Sequence, residues 1–134
     1  MLVTRRISLK VIVTDDYKKK YVSQLKTLAS EVRVELERIK TTEAQLMLKV
    51  QTLDYNYVMS VREQIEREKA SREATLKEIE TREKDMETMS PGSIFPQGNL
   101  DGFVELKTGD DLESKLGKAE IIVKDGIIQS ITEG

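Results

Sequence analysis

The sequence of 134 residues contains no cysteine, no histidine and no tryptophan. The lack of cysteine excludes disulfide bonds, thiolate nucleophiles and thiolate metal sites. The lack of histidine removes the side chain that most often acts as a general base near neutral pH, and the commonest ligand of transition metals. We therefore expect a protein that is not an enzyme and that holds no metal or other cofactor.

Long apolar runs are also missing. No stretch approaches the ~20 apolar residues that a helix needs to cross a bilayer. Arg5 and Arg6 precede a stretch in which apolar and polar residues alternate, and no small-residue cleavage site follows, so the pattern is not that of a signal peptide. We expect a cytoplasmic protein without a membrane partner.

Charged residues are abundant instead. They make up 34% of the chain, against 38% hydrophobic residues, and the formal net charge is -2. This balance favours solvated helices over a compact globule. The net charge gives no support to a nucleic-acid partner.

The N-terminal segment 5–14 and the long segment 15–90 have different periodicities. Residues 5–14 place four apolar side chains on one face with a period of two, which predicts a half-buried strand. Residues 16–89 contain no glycine or proline. Their apolar residues recur at steps of three and four, interrupted by Glu43, which predicts a helix with one buried stripe. That stripe consists of Val22, Leu25, Ala29, Val32, Leu36, Ile39, Leu46, Val50, Leu53 and Tyr57.

The phase of the stripe changes between Leu53 and Tyr57. Asp54 and Asn56 lie at this change and favour a turn and a helix cap. We therefore predict an antiparallel helical hairpin, a coiled coil, over 15–90 with its turn near 51–56. The alternative is one continuous helix whose terminal strands are exchanged between chains.

The second arm of the hairpin has few apolar residues in its middle. Residues 66–75 offer only Ala70 and Ala74 for packing. Acidic residues four positions before basic ones support this helix locally, each pair by roughly 0.2–0.5 kcal/mol. These predicted pairs are Glu63–Arg67, Glu68–Arg72, Glu73–Lys77, Glu78–Arg82 and Glu80–Lys84.

The C-terminal segment 91–134 contains the turn residues that the hairpin lacks. Residues 93–101 are expected to form a loop, 102–107 a strand, and 119–124 and 127–132 two strands joined at Asp125-Gly126. Asp110 and Glu113 have the spacing of a capping box for a short helix. With segment 5–14, these strands predict an α+β fold in which a small β-sheet or a partly closed barrel forms from both ends of the chain.

These segments together resemble a known family. The strand VIVT leads into a charged hairpin, the segment 102–110 reads GFVELKTGD, and residues 122–128 read IVKDGII. This arrangement resembles the YlqD family of bacterial proteins over nearly the whole chain. The resemblance implies no established biochemical activity and carries over no functional residues. In some bacteria the family's gene lies near ribosomal genes, which the residues themselves do not show.

Two groups of residues are candidate binding sites. Arg5, Arg6, Lys18, Lys19 and Lys20 could form a basic patch that contacts RNA phosphates, although lysines at the start of such a helix are usually solvated. Tyr55, Tyr57 and Met59 lie at the predicted hairpin tip, where they either form an exposed surface for a protein partner or fold back over the core of the helix pair.

An acidic group in the C-terminal segment is a weaker candidate. Asp101, Glu105, Asp110 and Asp111 could suggest a Ca²⁺ or Mg²⁺ site, but their spacing matches no known binding loop. Helix capping accounts for Asp110 more simply.

The sequence leaves the function unknown and favours contact over catalysis. We expect a non-enzymatic interaction or scaffolding protein that acts through its coiled-coil hairpin and forms a homo-oligomer. The alternative is a ribosome- or RNA-associated factor that uses the basic patch.

Overall fold

The structure is a computed structural model that describes residues 1–133. Its elements follow the order β1 (Leu2–Ile12), α1 (Asp15–Leu48), α2 (Tyr55–Thr88), β2 (Ile94–Glu105), α3 (Leu112–Leu116), β3 (Ala119–Lys124) and β4 (Ile127–Glu133). Gly134, the last residue of the predicted segment 91–134, lies outside the described residues. The chain divides into a sheet unit, 1–19 with 89–134, and a helical unit, 20–88.

The four strands form one open sheet in the order β2-β1-β3-β4. Strand β1 pairs antiparallel with β2 and parallel with β3, and β3 pairs antiparallel with β4. The N-terminal strand thus lies between two strands from the C-terminal part of the chain. The α+β prediction is confirmed, and of its two alternatives the sheet is found, without closure into a barrel.

Strand β2 is longer than predicted. Residues 93–101 were expected to form a loop, but the strand already begins at Ile94 and runs through Pro96 and Gly98. Gly98 lies opposite Leu9 and Pro96 lies opposite Lys10, so Gln97 is an extra residue in a β-bulge. An edge strand with a bulge tolerates proline, because the missing N–H need not enter the ladder.

The start of α1 is fixed within the sheet unit by side-chain and backbone hydrogen bonds. The Thr14 hydroxyl oxygen accepts from the Tyr17 N–H at 3.1 Å and caps the helix, and the hydroxyl donates to Asp125 Oδ1 at 2.7 Å. Val13 N–H donates to the Ser93 carbonyl at 2.8 Å, and Gly92 N–H donates to the Val13 carbonyl at 2.7 Å. The residues that precede α1 and those that follow α2 are therefore bonded to each other.

The two long helices form the predicted antiparallel hairpin, and the alternative of one continuous helix is wrong. Each helix has 34 residues, and residues 49–54 connect them. The buried residues of α1 belong to the predicted stripe, and those of α2 recur at multiples of seven. In α1 they are Leu25, Ala29, Leu36 and Leu46, and in α2 they are Val58, Ile65, Ile79 and Met86.

The C-terminal elements differ from the prediction in one detail. The N-cap of α3 is Asp111, whose carboxylate accepts from the Ser114 N–H at 3.2 Å, and not Asp110. Asp110 instead accepts from the Lys107 N–H at 2.8 Å and closes the preceding turn. Asp125 and Gly126 both have positive φ, 50° and 80°, as a tight turn between β3 and β4 requires.

Within residues 1–133, no helix is both long enough and apolar enough to span a membrane.

The hairpin core predicts unequal effects of two substitutions. Leu36→Ala removes a buried side chain of the stripe and should lower the free energy of unfolding by ~2–5 kcal/mol. Glu73→Ala, at an exposed position of α2, should change it by no more than ~0.5 kcal/mol. Urea unfolding followed by far-UV circular dichroism measures both. Equal effects would contradict the assignment of the buried faces.

Candidate functional site

The middle of the hairpin is held by ion pairs, where the apolar stripe of α2 is interrupted. Ala70 and Ala74, the predicted apolar contacts of this stretch, are both exposed. Lys69 Nζ instead lies 3.3 Å from Glu43 Oε2, on the other helix. Glu43 is the one polar residue in the α1 stripe, so this interruption is matched by a cation from α2.

A second cross-helix pair lies next to the first. Arg72 Nε donates to Glu35 Oε2 at 2.6 Å. Arg72 is seven residues from both Ile65 and Ile79, so it occupies the position at which a buried apolar residue would continue the series. It was predicted to pair with Glu68 on its own helix. Of the five predicted pairs within α2, only Glu78–Arg82 forms among the described residues, with a separation of 2.7 Å.

The tip of the hairpin exposes its aromatic residues. Tyr55 and Tyr57 are 74% and 56% exposed, and Leu48, which ends α1, is 87% exposed. Asp54 accepts from the Tyr57 N–H at 3.2 Å and so caps α2 at this point. Val58 turns inward and is buried. The two tyrosines therefore do not fold back over the helix pair, whereas the neighbouring valine does.

The tip is also nearly free of charge. Residues 44–61 include only two charged side chains, Lys49 and Asp54. The exposed large apolar residues of this segment form what we call the tip surface. Its members are Met47, Leu48, Val50, Tyr55, Tyr57 and Met59.

The predicted basic patch is not brought together as a single surface. Arg5 and Arg6 are adjacent in β1 and therefore point to opposite faces of the sheet. Arg5 Nη2 donates to the Gly117 carbonyl at 2.7 Å, and Lys18 Nζ donates to the Met89 carbonyl at 2.8 Å. Both groups are thus engaged in backbone contacts of the sheet unit, while Lys19 and Lys20 are exposed.

Of the four acidic candidates in the C-terminal segment, Asp110 and Asp111 have hydrogen-bond partners. Asp110 and Asp111 accept backbone N–H groups, as described above, and Asp101 lies opposite Arg6 in the β1–β2 register. Over residues 1–133, no group of three or more acidic side chains is placed so that it could hold a metal ion.

The outer edge of the sheet is a feature that the sequence did not indicate as a site. Strand β4 is an edge strand, and its isoleucines Ile127, Ile128 and Ile131 are 67%, 55% and 62% exposed. The sequence predicted this strand, but the order of the strands decides which one lies at an edge. Period-two alternation alone does not contain that information.

Comparison with known proteins agrees with this fold. The family model of the YlqD protein matches residues 1–132. The chain belongs to the YlqD family. No curated protein matches the chain. A crystal structure of a protein of unknown function from Synechococcus sp. WH 8102 is similar over 99% of this chain and 95% of that chain, with a TM-score of 0.87 and 20% sequence identity. At this identity the likeness concerns the fold.

The central ion pair of this YlqD-family hairpin predicts a pH dependence at alkaline pH. The pKa of Lys69 lies above its ordinary value of 10.5, because its ammonium group donates a hydrogen bond to Glu43; burial acts in the opposite direction, and the charges of Glu43 and Glu66 raise the pKa further. A group whose pKa is higher in the folded state than in the unfolded state stabilises the fold at lower pH. This stabilisation is lost as the pH rises through the folded-state pKa.

Lys69→Met should therefore lower the thermal midpoint near neutral pH, and its difference from the wild type should shrink above pH 10.5. Lys77→Met is the matched control, since Lys77 is an exposed lysine of the same helix without an ion pair among the described residues. Thermal unfolding at several pH values measures both. The same pH dependence in both variants would contradict a specific role of the Glu43–Lys69 pair.

Proposed function

We propose that this protein is a non-enzymatic interaction or scaffolding protein, which contacts a protein partner through the tip surface of its hairpin and which also self-associates. The observation that carries the proposal is the exposure of Tyr55 and Tyr57 within an almost uncharged segment. In a chain with 34% charged residues, this segment departs from the composition of the other exposed surfaces.

The chemistry of the tip surface suits protein recognition. Tyrosine supplies a large apolar ring with a polar hydroxyl group, and it is enriched at the energetic centres of interfaces. Methionine adds a flexible apolar side chain that adapts to irregular partner surfaces. Neither tyrosine hydroxyl has a hydrogen-bond partner within residues 1–133, so both are available to a bound protein.

The hairpin suits the presentation of such a surface. A helix of 34 residues is roughly 50 Å long at ~1.5 Å per residue, so the tip lies far from the hairpin's own base. The core of the base is formed by Leu25, Ala29 and Ile79, against which Tyr21, Val32 and Leu76 pack. Substitutions at the tip therefore leave this core intact and can be used to test binding separately from folding.

A ribosome- or RNA-associated role is the alternative. Lys19 and Lys20 are exposed and could contact phosphates, but Arg5 and Lys18 are occupied by backbone carbonyls. RNA binding through these residues would be salt-dependent and would be lost when Lys18, Lys19 and Lys20 are replaced by glutamine. Binding with those properties would favour this alternative over the tip surface.

The tip surface predicts the loss of a protein partner in a double substitution. Wild-type protein and the Tyr55→Ser/Tyr57→Ser variant are immobilised and used to capture proteins from a bacterial lysate, and captured proteins are quantified by mass spectrometry. A direct partner should bind the wild type, and its affinity for the variant should be about tenfold lower or weaker still. The reason is that truncation of a central interface tyrosine typically costs more than ~1 kcal/mol of binding free energy.

Leu28→Ser/Val34→Ser is the matched control. These residues are exposed apolar side chains of α1 outside the tip surface. A candidate partner should be purified and titrated against all three proteins by calorimetry, with circular dichroism confirming equal helix content. A partner that binds the tip variant and the wild type equally would refute the proposed site.

A further inference from the structure

We propose that two copies of this chain join through their β4 strands, pairing antiparallel so that two four-stranded sheets become one sheet of eight strands. This inference rests on the self-association included in the proposed function and gives it a surface. It is independent of the tip surface.

The two edges of the sheet are not equivalent. Edge strand β2 carries several features that discourage pairing with another chain, namely Pro96, a bulge at Gln97, Gly98 and three acidic or amide side chains at Asn99, Asp101 and Glu105. Edge strand β4 contains no lysine, arginine or proline, and its one charge, Glu133, is at its end. Natural sheets blunt their free edges with charge and proline, so an apolar edge without them indicates a partner strand.

The exposed side chains of β4 have no role in the monomer's core. Ile127, Ile128 and Ile131 are each more than half exposed. Ile128 lies opposite Val123 and Ile131 lies opposite Ile121 on β3, and Gln129 is the extra residue between them. Because directly opposite residues share a face, this bulge places Ile128 and Ile131 on the same face of the sheet.

The sequence of β4 is self-complementary about a two-fold axis between Gln129 and Ser130. Antiparallel pairing about that axis places Ile128 of each copy opposite Ile131 of the other copy. It places Gln129 opposite Ser130, whose amide and hydroxyl groups can bond to each other, and Ile127 opposite Thr132. A segment of a foreign protein would need no such symmetry. This is why we assign the edge to a second copy.

The charges of β4 are compatible with this register. Glu133 lies opposite Gly126 of the second copy, so the two Glu133 carboxylates are seven residues apart along the ladder, about 23 Å at ~3.3 Å per residue. This distance exceeds two Debye lengths at physiological salt, about 16 Å, so the two charges repel each other little. A parallel pairing would place the two carboxylates side by side.

The first test is the mass in solution of three proteins, measured by light scattering and sedimentation. The wild type should have twice the monomer mass of 15.3 kDa at micromolar concentration. Ile131→Lys should raise the dissociation constant roughly 100-fold, because it buries an unpaired ammonium group against Ile128 of the second copy. Phe103→Lys is the matched control on the other edge, where Phe103 is 75% exposed, and it should remain dimeric.

The second test determines the register and does not depend on a disruptive substitution. The chain has no native cysteine, so Ile128→Cys and Ile131→Cys can each be the only thiol in its variant. Opposite residues in an antiparallel pair are about 4.5–5.5 Å apart, within the range of a disulfide, whereas Ile128 and its own equivalent would be about 10 Å apart. Oxidation of an equimolar mixture should therefore give crosslinked dimers that neither variant gives alone.

Each contrary result overturns the inference. A monomeric wild type would exclude the dimer, and a dimer that survives Ile131→Lys would show that another surface joins the copies. Crosslinking that is absent, or equal in the mixture and the single variants, would exclude the register. The test of the tip surface gives a separate result. The Tyr55→Ser/Tyr57→Ser variant should lose binding to the protein partner and should still be a dimer.

Discussion

The pairing of β1 with β2 depends on two helices of equal length. Strand β1 ends at Ile12 and β2 begins at Ile94, and the two are antiparallel neighbours in the sheet. The intervening chain consists of two helices of 34 residues each, so α2 leads back over the length that α1 covers. The backbone bonds of Val13 with Gly92 and Ser93 close this loop.

The register of the two helices is a consequence of where the polar residues interrupt the apolar stripe. Apolar layers alone tolerate sliding by a heptad, because each layer resembles the next. Glu43 and Lys69 break this equivalence, since any other alignment would place one of them against apolar side chains without its partner. Arg72 has the same effect through Glu35. Polar residues within an apolar stripe generally lower the stability of a helix pair and specify how the two helices align. The alignment of α1 with α2 matters here because β1 precedes α1 and β2 follows α2.

Periodicity predicted the parts of this fold that depend on local physics. The stripe of α1 as far as Leu46, the change of phase before Val58 and the tight turn at Asp125-Gly126 all follow from residue spacing and backbone preference. Val50 and Tyr57, which the spacing assigned to the stripe, are exposed. The sheet formed from both ends of the chain was predicted as well, but its strand order and the ion pairs between the helices were not. Pro96 predicts a loop as long as it is not known that this residue lies in an edge strand next to a bulge. Ala70 predicts an apolar contact with α1 as long as it is not known that Lys69 forms an ion pair there instead.

The candidate sites differ in the same way. The composition of the tip identified Tyr55 and Tyr57, but only the structure decided between an exposed surface and a folded-back cap. The basic patch depended on Arg5 and Arg6 acting together, which the alternation of side chains in a strand prevents. The edge strand β4 could be found only from the strand order, because nothing in IIQSITE distinguishes a central strand from an edge.

The exposed apolar residues are not explained by the stability of the monomer. Burial of apolar surface contributes roughly 25 cal/mol per Å², and side chains that stay exposed contribute little of this. Leu48, Tyr55 and Ile127 each remain more than half exposed, although 34% of the chain is charged. Since the fold gains little from these apolar side chains, a requirement outside the folded monomer accounts for them better. The hairpin tip and the β4 edge share no residues, so a partner at the tip and a second copy at β4 would not compete for the same side chains.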